Sequence, residues 1–373
     1  MLRNETVDRS ALSETHAEDA GLRFVSDSEP GIARSKPNKL WRYTKSDGAI
    51  VRDSKTLDRI RLLGIPPAWT DVWISPRANG HIQATGRDAR GRKQYIYHSD
   101  WIKTRDEAKF HRVLAFAKLL PRVRRTVKRH MAKRGLSREK VLATIVHLLE
   151  TTLIRVGNQE YARDNQSFGL STLQDKHVTF SGSDVRFKFR GKTGKEWKLK
   201  ISDRRVARIV KSCQDLPGQH LFQYEDDDGE VRQVTSADVN DYLREVAEDD
   251  VTAKDFRTWA GTVLAAVALA EFDRVDSEAV AKRNIKEAIV SVATRLGNTP
   301  TICRKCYVHP EVLACYLEGS LADTLKQKVT RELKSLSALT AEEAATLALL
   351  HGRLRQGNRR RKAKRSRAAA KSA

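Results

Sequence analysis

Residues 177–201 read HVTFSGSDVRFKFRGKTGKEWKLKI, and this stretch decides the fold. Val185, Phe187 and Phe189 alternate with Arg186, Lys188 and Arg190, and the SGSD and GKTGK segments supply turns. The stretch therefore reads as a β-meander with one apolar and one basic face. Lys192 falls at the tip of its second turn. The GKT triplet is not a nucleotide-binding phosphate loop, because the glycine required five positions before Gly191 would fall at Arg186.

The segments on either side have helical periodicity, so the meander is an insert in a mostly helical domain. From Asp106 onward Phe110, Val113, Leu114, Ala117 and Leu120 share one face, and Pro121 is expected to end or kink that helix. A second helix carries Val123, Val127 and Met131 on one side, Lys and Arg on the others, and Gly135 as its C-cap. A third is expected over Ser137–Val156, with Val141, Leu142, Ile145, Leu148, Leu149 and Leu153 turned inward. That places Arg155 in its last turn, where a cation ordinarily partners the free terminal carbonyls. A further apolar helix begins near Thr252 with Lys254 and Arg257 in its first turn. Cations at a helix N-terminus oppose the macrodipole, so this placement calls for a compensating anion such as phosphate.

Two other clusters invite a metal reading that their chemistry does not support. Asp226, Asp227 and Asp228 precede Gly229 between two alternating runs, which is first a hairpin turn. Cys303, Cys306, His309 and Cys315 are spaced too tightly for the separated ligand pairs of a zinc site and read as buried thiols, so no metal is expected. Tyr307 lies inside the same segment, TICRKCYVHPEVLACYLEG, where the ordinary role of a tyrosine is to bury its ring and keep its hydroxyl at the edge.

The chain is 373 residues long with a net charge of +23, the balance of a protein whose partner is a polyanion. No signal peptide or apolar run long enough to cross a bilayer is evident, and four cysteines form no disulfide framework, so a soluble, cytoplasmic protein is expected. From Trp41 to Trp101 turns such as SPRANG and TGRDARGR separate short alternating runs such as HIQAT and QYIYH. The fold class is thus α+β: an acidic disordered tail over residues 1–22, a β-rich domain over 23–105, a mostly helical domain over 106–350 and a basic disordered tail over 351–373. Ten Lys or Arg and no acid lie within residues 353–373, and such a run repels itself and solvates.

Taken together, IRVGN, FRGKTGK, KDFRTWAGT and LGNTPTICRKCY place Arg155, Lys192, Arg257, Asn298 and Tyr307 in an order suited to attack on a phosphodiester. Two guanidiniums can grip phosphate oxygens, a lysine can protonate a departing oxygen and a phenol can be the nucleophile. The sequence resembles the poxvirus-type and bacterial branch of the type IB DNA topoisomerases from about residue 23 to 320, most specifically in GHIQATGRDARGRKQYIYH, LLETTLIRVGNQEYARDNQSFGLSTLQDKHV, KDFRTWAGT and LGNTPTICRKCYVHPEVL.

The resemblance implies a two-lobed protein acting on double-stranded DNA as a monomer, without ATP or another cofactor. It assigns Tyr307 as nucleophile forming a 3′-phosphotyrosine, Arg155 and Arg257 as stabilisers of the transition state, and Lys192 as general acid. Asn298 stands where the viral and nuclear enzymes carry histidine, and an amide donates a hydrogen bond without carrying charge. The resemblance also implies backbone contacts by Tyr161 and Lys254, and DNA contacts in the small lobe by Gln83, Arg87, Arg92, Lys93 and Tyr95. A tyrosine recombinase or integrase shares this chemistry but typically shows H-x-x-R where this chain has KDFR. A non-catalytic nucleoid-binding protein would share only the charge.

Overall fold

The computed structural model describes residues 14–369 except 16, 19, 38–39, 273–276 and 328–338. The chain divides into two compact units, one ending at His111 and the other beginning at Arg112. The first is built on a five-stranded antiparallel sheet of order β2-β1-β3-β4-β5, formed by β1 (Ile32–Ser35), β2 (Arg42–Thr44), β3 (Thr70–Ile74), β4 (Ile82–Arg87) and β5 (Lys93–Tyr97). Helix α1 (Ser54–Leu62), capped by the Asp53 carboxylate accepting from the Thr56 amide, buries Ile60 in a core with Ile32, Val51, Val72, Ile74 and Ala84. Of the expected acidic tail, residues 1–13 lie outside the described residues, but Ala17 and Leu22 are already buried in a cluster with Trp101.

Helix α2 (Ser99–His130) starts earlier than its periodicity suggested and runs through Pro121 without ending there. Proline removes one hydrogen bond and costs about 3 kcal/mol in a helix interior. Phe116, Leu120, Val123 and Val127 are all buried on the continuing face, at roughly 1.5–3 kcal/mol for each large side chain, and this outweighs the loss.

The second unit is organised around α3 (Arg138–Thr152), in which Val141, Leu142, Ala143, Thr144, Ile145, Val146, Leu148 and Leu149 are all buried. A helix apolar on so much of its circumference belongs at the centre of a domain. It stops at Thr152, not Val156, because Leu153 adopts a left-handed conformation with φ 59°. Arg155 therefore lies on the extended chain beyond the helix. Short helix α4 (Gln159–Asn165) follows, capped by the Asn158 side chain accepting from the Tyr161 amide.

The meander forms as its alternation predicts, with β6 (Val178–Ser181), β7 (Asp184–Arg190) and β8 (Glu196–Ser202) in sequential antiparallel order. Val185, Phe187, Phe189 and Trp197 are buried, and α5 (Arg204–Gln214) packs against β7. The hairpin β9 (Gln223–Glu225) and β10 (Val231–Gln233) turns at Asp226, whose carboxylate accepts from the Asp228 and Glu230 amides and pairs with Arg232 at 2.7 Å.

The remaining helices are α6 (Ser236–Ala247), α7 (Ala253–Ala270), α8 (Glu278–Leu296), α9 (Pro300–Cys306), α10 (Pro310–Leu317), α11 (Leu321–Gln327) and α12 (Ala341–Ala369). Helix α7 lies against α3, α6, α8 and α12. Cys213, Cys303 and Cys315 are buried free thiols.

Helix α12 continues to Ala369, across most of the range expected as a basic tail. Two causes act together. Ala, Leu, Lys and Arg are strong helix formers, and the first half of the helix is anchored by buried Ala344, Ala345, Leu347, Leu349 and Leu350. Arg353 adds ion pairs to Glu311 at 2.9 Å and Glu318 at 2.7 Å, so the boundary expected at residue 350 cuts through docked structure.

Glu343 is the strongest polar anchor. Its carboxylate accepts two bonds from Arg124, both 2.8 Å, and one from the Trp259 indole N–H at 3.1 Å, while Arg124 also pairs with Glu150 at 2.6 Å. Removing one partner of such a group strands the others. Glu343→Ala should cost about 3 kcal/mol in urea unfolding of the full chain, and Glu343→Gln, which keeps an acceptor for Trp259, should cost less. An unchanged midpoint for Glu343→Ala would show that α12 is not held there.

Candidate active site

The site is assembled from three helix ends. At the end of α8 the sequence LGNTP provides a stop and a restart. Gly297 is left-handed at φ 63°, the Asn298 amide donates to the Ala293 carbonyl at 2.9 Å, Thr299 caps α9 and Pro300 takes its first turn. Asn298 is thereby fixed at the junction. Tyr307 is the C-cap of α9, with its amide donating to the Cys303 carbonyl at 2.9 Å.

Arg257, in the first turn of α7, is only 3% exposed. Its guanidinium donates to the Leu296 carbonyl at 2.6 Å and to the Leu153 carbonyl, the terminal groups of α8 and α3. These carbonyls carry the negative ends of two helix dipoles, and they answer the charge that the sequence left uncompensated at the start of α7. Burial, and then the charge of Arg155, pull the Arg257 pKa down from its ordinary value, and the Tyr307 hydroxyl pulls the other way. The guanidinium carbon lies 5.2 Å from the centroid of the Tyr307 ring. Burial pushes the neighbouring Cys303 thiol up to about 11, so it stays protonated at neutral pH.

Arg155 reverses its expected role. It partners no carbonyl of its own helix; it donates to Gly297 O at 3.4 Å and to Asn298 Oδ1, across the chain from α3. Its backbone is held by Leu170, whose amide donates to Arg155 O at 2.9 Å, and this approach needs Gly169, where a Cβ would lie 2.6 Å from the same oxygen. With Oδ1 taken by Arg155, the Asn298 Nδ2 is buried and has no hydrogen-bond partner, and Arg257 Nε is in the same condition. Each is a donor whose desolvation is uncompensated within the protein, which costs free energy unless an acceptor enters the site.

One cavity of about 240 Å³ is lined by Arg155, Lys192, Lys254, Arg257, Tyr161 and Tyr307. Four of the five singled-out positions thus line one cavity, and the fifth, Asn298, accepts from Arg155 through its Oδ1. Lys192 is exposed at the tip of the β7–β8 turn with its ammonium 5.0 Å from the Tyr161 ring centroid. Asn158, Ser167 and Phe168 also line the cavity and were not anticipated. Their only signal was sequence proximity to Arg155 and Tyr161. Among the described residues no group of three or more His, Cys, Asp or Glu side chains is arranged to hold a metal.

In the first unit the expected DNA contacts divide. Gln83 is 3% exposed: its amide nitrogen donates to Gly80 O at 2.8 Å and Ala78 O at 3.0 Å, and its oxygen accepts from Arg59. Both N–H groups are thus engaged by the turn before β4. Arg87 faces Asp71 at 3.5 Å, Arg92 pairs with Asp88 at 2.7 Å and Lys93 with Asp27 at 2.6 Å. The Arg92 partnership holds the Asp88 carboxyl down at about 2. Tyr95 is 43% exposed and stacks on Tyr97 at 5.8 Å, a neighbour that the period of two along β5 would have identified.

Comparison with known proteins agrees with this geometry. The family described as "Eukaryotic DNA topoisomerase I, catalytic core" matches residues 98–322, and "Bacterial DNA topoisomerase IB, N-terminal domain" matches residues 40–88. DNA topoisomerase 1B of Acanthamoeba polyphaga mimivirus is 32% identical over 293 residues, covering 77% of this chain and 87% of its own length. DNA topoisomerase 1B of Vaccinia virus (strain Copenhagen) is 21% identical over 309 residues, 81% of this chain and 95% of its own. DNA topoisomerase 1 of Mycosarcoma maydis is 23% identical over 223 residues, 53% of this chain and 22% of its own.

Tyr307 is braced from α7. A Cβ at Gly261 would lie 2.7 Å from Tyr307 O and 3.0 Å from its Cβ, and the Thr262 hydroxyl donates to the same carbonyl at 3.3 Å. Helix propensity alone predicts that Gly261→Ala stabilises by up to about 1 kcal/mol. The contact predicts the opposite sign, because overpacking costs about 1–3 kcal/mol. A lowered thermal midpoint for Gly261→Ala is expected, and a raised one would show that Tyr307 is not held against α7.

Proposed function

We propose that this chain, which belongs to the type IB DNA topoisomerase family, relaxes supercoiled duplex DNA through the cavity that Tyr307 shares with Arg155, Lys192 and Arg257. That shared cavity is the observation that carries the reading. Tyr307 loses its phenolic proton to water as its oxygen attacks phosphorus, an O–P bond forms, the bond from phosphorus to the 5′-oxygen breaks, and the 3′-phosphate stays on the enzyme. Lys192 gives its proton to the departing 5′-oxygen as general acid. The free end rotates, and its hydroxyl reverses the exchange. One phosphoester replaces another at each step, so no nucleotide is consumed.

The arginines are suited to different parts of this work. Arg257 is already anchored to two carbonyls and needs no reorganisation when charge develops on a phosphoryl oxygen, which is the condition for electrostatic preorganisation. Arg155 is oriented by Asn298, whose free Nδ2 is a further donor for the same charge. Lys254 and Tyr161 line the approach and suit contact with the DNA backbone, as Lys93 and Tyr95 do in the first unit. All five catalytic groups come from one chain, which supports action as a monomer. A net charge of +23 supports residence on DNA in the cell, and no helix among the described residues is long and apolar enough to cross a membrane.

Relaxation of a supercoiled plasmid in EDTA without nucleotide is the first test. Tyr307→Phe should abolish both relaxation and denaturant-trapped covalent complexes while binding DNA nearly as well as wild type. Appreciable residual trapping would remove Tyr307 as nucleophile.

Asn298 gives a quantitative test. Losing one transition-state donor costs roughly 10²–10³ in rate, so Asn298→Ala should slow single-turnover cleavage by that order at saturating enzyme. Asn298→Asp keeps an acceptor for Arg155 but has no N–H, and should be at least as slow. A wild-type rate for the aspartate variant would show that the donor is not used.

A further inference from the structure

The turn that carries Lys192 is not free, and what fastens it is the second lysine of the GKTGK sequence. The turn closes on itself through the Gly191 amide donating to Lys195 O at 2.7 Å, with Thr193 at φ 64° and Gly194 at φ 78°. Among the described residues the Lys192 ammonium makes no hydrogen bond; it lies 5.0 Å from the centroid of the Tyr161 ring. The Lys195 ammonium, by contrast, donates to the Thr294 carbonyl at 2.7 Å, in the last turn of α8. The same carbonyl accepts from the Gly297 amide at 3.2 Å, and a cation placed there meets the negative end of the helix dipole.

The stem of this contact is aromatic. Lys195 Nζ lies 5.3 Å from the centroid of the Trp197 ring, and Trp197 is 7% exposed. The nitrogen-bearing edge of that indole lies so near two glycines that a Cβ at Gly191 would be 2.6 Å from its Nε1 and a Cβ at Gly297 2.5 Å from its Cζ2. Gly191 precedes Lys192 and Gly297 precedes Asn298. One edge of Trp197 thus packs on both the backbone of the lysine turn and the backbone that holds Asn298 and, through it, Arg155.

We propose that Lys195 is a positioning residue for the cleavage step: its bond to Thr294 O, made over Trp197, fixes the β7–β8 turn on the end of α8 so that the Lys192 ammonium is delivered to the departing oxygen. This rests on the reading of Lys192 as general acid. Lys195 itself touches no reacting atom. Its contribution is to hold one catalytic group in register with the others, which sit at the ends of α3, α7, α8 and α9, and misplacement by an ångström is enough to cost much of a proton transfer.

The test is single-turnover cleavage at saturating enzyme of a duplex that wild type cuts at one mapped phosphate, prepared in two forms. One has the ordinary phosphodiester and the other has sulfur in place of the bridging 5′-oxygen. A thiolate leaves without a proton donor, so the second form does not need the general acid. Lys195→Met keeps the apolar stem over Trp197 and removes the N–H donors; Lys195→Arg restores them. Lys195→Met should slow cleavage of the ordinary duplex by about tenfold or more, a part of the roughly 10²–10⁴ that a general acid contributes, and should cut the sulfur form at the wild-type rate. Lys195→Arg should recover most of the loss.

An equal slowing on both forms would mean that Lys195 supports the fold and not the proton transfer, and an unchanged rate on the ordinary duplex would mean that it does neither. Weakened DNA binding with an unchanged cleavage rate would make it a phosphate contact. Each of these overturns the proposal. Lys192→Ala serves as the reference: if sulfur rescues Lys192→Ala but not Lys195→Met, the positioning role alone falls, and if sulfur fails to rescue Lys192→Ala, the general-acid reading falls and the proposal with it.

Discussion

The buried guanidinium of Arg257 is the constraint on which the rest of the second unit depends. An isolated cation almost wholly removed from water is strongly disfavoured, and no carboxylate is provided for it. The ends of α3 and α8 provide instead the carbonyls of Leu153 and Leu296, partial charges that do not neutralise the cation and so leave it electropositive toward the cavity. A carboxylate partner would hold the arginine more firmly and cancel its field. The arrangement chosen keeps the field and lets the termini of two helices bear the desolvation. It also explains why both helices must stop where they do: Leu153 turns left-handed and Gly297 ends α8, and one more turn of either would tie up a carbonyl that Arg257 needs.

That dependence sets what the sequence could disclose. The meander was legible because its signal is local: Val185, Phe187 and Phe189 must face one way whatever surrounds them. The stop at LGNTP was legible for the same reason, since Gly, Thr and Pro each have a fixed place in ending one helix and starting another. The end of α3 was not, because Leu153 is an unfavourable residue for a left-handed position and only its carbonyl's role toward Arg257, distant in sequence, accounts for it. Pro121 misled for a related reason. Its cost is local and visible, whereas the burial that outweighs it is tertiary.

The catalytic positions were legible as a set and misread singly. Arg155 has the sequence context of a residue that caps α3, yet Arg257 takes that carbonyl and Arg155 takes the one on Gly297. Gln83 shows the converse case, a polar residue in a motif that resembles a surface contact, buried and engaged with Arg59 and the 78–80 turn. Residue type suggested what each side chain can do, but β4 buries four residues in succession, so no alternation in the sequence could have shown that Gln83 is covered.

The C-terminal helix extends the same logic beyond the residues that the catalytic-core family matches. Its composition argued for solvation, but Glu343 and Arg353 fasten its first half to two elements that matter for the site. Glu343 binds the Trp259 indole, two residues from Arg257 on α7, and Arg353 pairs with Glu311 and Glu318, at the two ends of the helix that follows Tyr307. One helix is therefore tied both to the element that presents the buried arginine and to the one that follows the nucleophile. Because α7 is also the element against which Gly261 and Thr262 seat Tyr307, the α12 anchors and the α7 brace act on the same spacing. The separation of Arg257 from Tyr307 is then fixed from the core side and from the C-terminal side, with the guanidinium 5.2 Å over the phenol ring.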